Sequence, residues 1–117
     1  MSGIVKLFHN PECSKSRAVL NLLKENNIKP EIIKYLEVPL SKETIEDILK
    51  KLRGKPIDVI RKNENYFITN KLGNKKLTRS ELIEIIIQNP ILLERPIVIA
   101  NNKAVVGRPP VSVLEII

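Results

Sequence analysis

Residues 3–27 read GIVKLFHNPECSKSRAVLNLLKENN, and this stretch decides the architecture. The run at residues 3–8 is apolar and rich in strand-forming residues, so it reads as a short buried strand. Asn10-Pro11 then breaks it. From Ser14 onward the spacing changes: Val19, Leu20, Leu22 and Leu23 fall on one face, with Arg17, Lys24 and Glu25 off it. That pattern predicts an amphipathic helix over residues 14–27, closed by Asn26-Asn27. After Pro30, residues 31–36 read as a second strand. Strand, helix and strand in this order make a βαβ unit with parallel pairing, because a crossover helix returns the chain to run alongside its start.

Further along, Ser41 is placed to cap a helix whose apolar stripe is Ile45, Ile48, Leu49 and Leu52, with Gly54 as its stop. Pro56 can open a short helical turn through Ile60. Residues 62–76 are polar and asparagine-rich. Thr78 with Glu81 three residues on forms a capping-box pattern for a helix running to Asn89. Residues 96–100 and 103–107 read as two short strands joined at Asn101-Asn102, a pair that tolerates the left-handed conformations of a tight hairpin. Pro109-Pro110 opens a C-terminal helix ending at Ile117. Periodicity therefore gives an α/β chain with one mixed sheet, built from β-α-β and β-β-α units. The expected organisation is a single domain over residues 1–117, with a helical insert at about 41–90.

Composition narrows the function classes. Hydrophobic residues make up 43% of the 117, but with no Trp, two Tyr and two Phe the core must be aliphatic. One cysteine excludes an intramolecular disulfide, the usual support of small secreted domains. The first ten residues do not read as a signal peptide, and the longest apolar region, residues 82–100, is broken by charges and prolines. The cytoplasm, a reducing compartment, is the expected location, with no membrane role. The net charge of +7 raises nucleic acid as a partner. Against it, the lysines are scattered and the aromatic residues that would stack on bases are nearly absent. A monomer is expected.

The chemistry centres on Cys13, which follows a predicted strand and precedes a predicted helix. A helix N-terminus offers unpaired N–H groups and partial positive charge, and both favour thiolate over thiol. The surroundings, His-Asn-Pro-Glu-Cys-Ser-Lys-Ser-Arg, form a polar turn and not a core segment. His9, if protonated, would stabilise the thiolate further. Ser16 completes Cys-x-x-Ser, with its hydroxyl expected near the sulfur in the first helical turn. Glu12 works the other way, as an acidic neighbour of the thiolate. A single cysteine can attack but cannot resolve its own adduct, so a second thiol must come from outside. Arg61, Arg95 and Arg108 are candidates to bind a tetrahedral oxyanion, for which the planar guanidinium fork is suited. Arg95 and Arg108 flank the predicted hairpin at the same end of the sheet. With one Cys and one His, no Cys/His metal site can be assembled.

Five segments carry a resemblance to a known family: Phe8-His-Asn-Pro-Glu-Cys-Ser-Lys-Ser-Arg17, Tyr35-Leu-Glu-Val-Pro39, Ile60-Arg-Lys-Asn63, Asn89-Pro-Ile-Leu-Leu-Glu-Arg-Pro-Ile-Val98 and Gly107-Arg-Pro-Pro110. In this order and spacing the chain resembles the bacterial arsenate reductases that use glutathione and glutaredoxin, of the ArsC/Spx-like superfamily. The resemblance implies a thioredoxin-like fold with a helical insertion. It implies that Cys13 is the nucleophile on arsenate, that Arg61, Arg95 and Arg108 bind the oxyanion, and that His9 tunes the cysteine. It also implies a cis Arg95-Pro96 bond at Pro96. No bound cofactor is implied; glutathione is a co-substrate and glutaredoxin the electron donor. Arsenical resistance is the corresponding physiological role. Two other readings share the fold. Spx-type transcription regulators bind RNA polymerase, but commonly carry Cys-x-x-Cys and lack the arginine of the Gly-Arg-Pro segment; Ser16 and Arg108 favour the enzyme. A general glutathione-linked thiol oxidoreductase would fit Cys13 but leave three anion-suited arginines surplus. The phosphatase-like arsenate reductases require Cys-x5-Arg and several cysteines, and this chain has neither.

Overall fold

In a computed structural model of the chain, residues 4–52, 56–61, 64, 68 and 77–117 are described. The sheet has four strands in the order β2-β1-β3-β4: β1 (Lys6–Phe8), β2 (Glu31–Ile33), β3 (Ile97–Ala100) and β4 (Lys103–Val106). β1 pairs parallel with β2 and antiparallel with β3, and β3 pairs antiparallel with β4. Helix α1 (Ser14–Glu25) makes the crossover from β1 to β2. Helices α2 (Lys42–Lys51) and α3 (Arg79–Gln88) lie between β2 and β3 in the chain, with 3-10 turns at Pro56–Val59 and Pro90–Leu92. A third 3-10 segment, Pro110–Glu115, replaces the expected C-terminal α-helix. This is the mixed sheet that the sequence pattern implies.

Strand alternation divides the core into two layers. Leu7, Val98 and Ala100 pack with Val19 and Leu23 of α1 and with Val113 and Ile116 of the C-terminal segment. Phe8, Ile97 and Ile99 face the other way, against Ile45 and Ile48 of α2 and Ile83 and Ile86 of α3. Successive strand residues point to opposite faces. All four residues of β3 are buried, as expected for a strand covered on both sides, and this is why it reads as an unbroken apolar run.

The local signals act as expected at most boundaries. Ser41 accepts a hydrogen bond from the Thr44 N–H, capping α2. Thr78 and Glu81 form the full capping box of α3. Asn101 and Asn102 have φ of 51° and 64° at the hairpin tip. β2 is shorter than the expected 31–36: after Ile33 the chain turns, with Glu37 and Val38 N–H groups both bonding the Lys34 carbonyl. The turn carries Tyr35 into the core, where it is 1% exposed. Gly3, Gly54 and nearly all of the polar stretch 62–76 fall outside the described residues.

Gly107 joins this frame to the site. A Cβ at this position would lie 2.7 Å from Val19 Cγ2 and 3.0 Å from Pro96 Cγ. Val19 is fully buried and β-branched, so it has little room to yield. Gly107→Ala is therefore expected to destabilise the protein by about 1–3 kcal/mol through overpacking, read as a lower urea midpoint at unchanged slope. An unchanged midpoint would show that α1 and the β4 end are not in close contact.

Candidate active site

Cys13 is the N-cap residue of α1, in an extended conformation, and its carbonyl accepts the Arg17 N–H at 3.0 Å. The sulfur therefore sits over the first turn, partly exposed. Burial pushes the Cys13 thiol up. The Ser16 backbone N–H, a hydrogen bond from Arg95, the Lys15 backbone N–H and the Arg95 charge outweigh it, leaving the thiol below its ordinary value. Arg108 Nη2 donates toward Cys13 Sγ at 3.8 Å. A helix N-terminus and two guanidinium groups thus surround one sulfur, an arrangement that favours its anion and any anion brought to it.

The loop before the cysteine is tightly held. Cys13 N–H bonds the Asn10 carbonyl at 3.0 Å, Glu12 N–H bonds Asn10 Oδ1 at 3.0 Å, and Arg17 Nη1 donates to the Pro11 carbonyl at 2.8 Å. Arg17 is thus more than a solvated helix-face residue. His9 and Ser16 play a different part from the one the sequence suggests. Ser16 is fully buried, and its Oγ lies 2.6 Å from His9 Nδ1 while accepting the Asn10 N–H at 3.1 Å. The Ser16 hydroxyl is committed to this bond, and only its backbone N–H acts on the sulfur. His9 is 5% exposed. Burial, then the charges of Lys34 and Arg17, hold its pKa below 6.5, so it is neutral at pH 7. The protonated His9 that would strengthen the thiolate is thus disfavoured, and the imidazole instead holds the loop through Ser16.

The three arginines arrive from different elements. Arg95 precedes β3, across a cis Arg95-Pro96 bond as the resemblance implies; Arg108-Pro109 is cis as well. Arg108 follows β4, and its Nε donates to the Arg95 carbonyl at 2.7 Å. Arg61 is brought in by backbone pairing, with Arg61 N–H bonding the Leu92 carbonyl at 2.7 Å and Glu94 N–H bonding the Val59 carbonyl at 2.6 Å. Sequence reasoning missed Glu94. Its Oε1 lies 3.4 Å from Arg108 Nε and 4.0 Å from Arg61 Nε, joining the two cations, while Arg61 also pairs with Glu64. Three guanidinium groups in one place repel one another, and these carboxylates offset the repulsion. Arg61 is near the other two through Glu94, whereas Arg95 and Arg108 face the sulfur directly. An open groove of about 710 Å³ adjoins the loop, lined by His9, Pro11, Lys34, Leu36, Ile91 and Arg95 among others. No helix among the described residues is long and apolar enough to cross a membrane.

Fold and site together define a thioredoxin-like protein with one activated thiol beside guanidinium groups suited to anions. Residues 8–116 match the ArsC family, and the chain belongs to it. Over 118 aligned residues it is 47% identical to the uncharacterized protein YfgD of Escherichia coli K12, covering 100% of this chain and 99% of the relative. It is 44% identical to an arsenate reductase of Neisseria meningitidis, covering 90% and 91%. Among solved structures, the arsenate reductase from Vibrio cholerae superposes with a TM-score of 0.90 at 39% identity, covering 97% of both chains.

Two outcomes follow from the electrostatics. Alkylation of Cys13 by iodoacetamide should rise with pH through an inflection below the usual thiol value. In Arg95→Gln the inflection should move up, because the lost cation stabilised only the ionised form; an unmoved inflection would place the activation elsewhere. His9 protonates less readily folded than unfolded, so the folded state binds fewer protons and stability falls as pH drops through 6.5. Urea unfolding compared at about pH 7.5 and about pH 5.5 should show a smaller loss for His9→Asn than for wild type, and this isolates the chain's single histidine.

Proposed function

We propose that the chain is an arsenate reductase that works through the Cys13 thiolate, with Arg61, Arg95 and Arg108 holding the oxyanion and glutathione and glutaredoxin as the reducing system. The observation that carries this reading is the convergence of the α1 N-terminus, Arg95 and Arg108 on one activated sulfur. The arsenate reductases of Neisseria meningitidis and Vibrio cholerae, to which the chain is similar along nearly its whole length, support the choice of oxyanion. The reducing cytoplasm is the compartment in which such a thiol stays free.

In this mechanism the sulfur attacks arsenic, an S–As bond forms, and one arsenate oxygen leaves as water after protonation. The arginines compensate the anion and the charge that builds during substitution. The chain's lone cysteine cannot complete the reduction. The glutathione thiol displaces a second oxygen, again as water. A glutaredoxin thiolate then attacks the glutathione sulfur and takes it as a mixed disulfide. The electron pair of the broken S–As bond stays on arsenic, which becomes As(III). Water cleaves the remaining S–As bond, arsenite leaves and the Cys13 thiolate returns. Glu94 holds Arg61 and Arg108 between turnovers and is exchanged for the substrate's oxygens.

The test is arsenate-dependent NADPH oxidation coupled through glutathione, glutaredoxin and glutathione reductase. Wild type should turn over, Cys13→Ser should be inactive, and Arg108→Ala should lose about 10²–10³-fold in kcat/KM, the scale of one lost charge-stabilising donor. Absence of turnover by folded protein with a reactive Cys13 would overturn the assignment.

A further inference from the structure

Tyr35 is 1% exposed, and among the described residues its hydroxyl has no hydrogen-bond partner of ordinary geometry. Burying a hydroxyl unpaired is costly, and folded proteins avoid it unless the group has another task. Two nitrogens of Arg95, Nε and Nη1, are also buried without a partner of ordinary geometry. The groups are neighbours: the Tyr35 hydroxyl lies within reach of the charges of Arg95, Arg61 and Cys13. They come from separate parts of the chain. Tyr35 sits in the turn after β2, and Arg95 in the segment leading into β3. A phenol can accept from a guanidinium, so the two could have satisfied each other. They interact, but outside ordinary hydrogen-bond geometry, and a phenol that accepts from a guanidinium still has its own proton to donate beside the sulfur. Burial holds the phenol above its ordinary pKa, so the proton is present to donate at neutral pH.

We infer that Tyr35 is a substrate-contacting residue: its hydroxyl donates a hydrogen bond to an oxygen of the tetrahedral oxyanion held at Cys13, beside the donors of Arg95. This rests on the proposed oxyanion chemistry and adds to it an uncharged donor anchored in the core. The ring is fixed by packing, so the hydroxyl is positioned before substrate arrives and little side-chain freedom is lost on binding.

The test is Tyr35→Phe, which removes one oxygen and keeps the ring. A hydroxyl with a structural partner would lower stability when removed; one held for a ligand should leave the urea midpoint unchanged or slightly higher. Iodoacetamide alkylation of Cys13 without oxyanion should keep its wild-type pH profile. The arsenate dissociation constant, measured by calorimetry in a Cys13→Ser background to prevent covalent reaction, should weaken about tenfold in Tyr35→Phe, equivalent to about 1.4 kcal/mol. Equal arsenate affinity with and without the hydroxyl would overturn the inference, as would a wild-type pocket that does not bind arsenate at all. Binding that depends on Tyr35 in a protein that fails to turn arsenate over would count against the reductase reading and uphold the role of Tyr35.

Discussion

The site depends on one constraint: a sulfur must be held over the free N–H groups of a helix whose axis cannot shift. Cys13 is the N-cap of α1, and α1 is fixed by Val19 and Leu23 packed against Leu7, Val98 and Val113. Because that layer is closely filled, the amides of Lys15 and Ser16 keep their aim at the sulfur without cost at each turnover. Gly107 belongs to the same constraint. It lets the end of β4 lie against Val19, which brings Arg108 to the cysteine.

Around that fixed point the charges are organised by exchange. Arg61 and Arg108 are held by Glu94, and Arg61 also by Glu64. Without these carboxylates three cations and a helix N-terminus would repel one another, and Coulomb repulsion is large where water is partly excluded. With them, the arginines wait in place. In the proposed reaction an oxyanion competes with a carboxylate for the same donors, a contest that favours a ligand carrying more charge and more acceptor oxygens. Arg95 differs, since no carboxylate among the described residues pairs with it and it faces Cys13 and Tyr35 instead.

His9 shows how burial decides what a sequence leaves conditional. In a polar turn four residues from the cysteine, a histidine would strengthen the thiolate if it were protonated. In the folded chain it is enclosed, faces Lys34 and Arg17, and bonds Ser16. Burial and the two neighbouring charges favour the neutral ring. The positive charge at the sulfur comes instead from the guanidinium of Arg95, ordinarily protonated across the physiological range, so the thiol is activated by a group that does not titrate there.

The sequence alone determined the element order, the place of the single cysteine at a helix start and the lack of a second thiol in the chain. The change from strand to helix spacing around residues 9–13 located Cys13 at a helix start, a serine cap, one capping box and paired asparagines marked boundaries, and a cysteine count of one excluded self-resolution. These are local properties, and local periodicity and turn chemistry record them directly. Tertiary structure decided the rest. The pairing of Arg61 and Glu94 depends on backbone hydrogen bonds between segments more than thirty residues apart, which no spacing rule encodes. The inward turn of Tyr35 and the commitment of the Ser16 hydroxyl to His9 depend on what lies across the core. Charge and hydrogen-bonding roles are set by the neighbours that folding brings together, whereas the propensity to form a strand or a helix is carried by each stretch of chain itself.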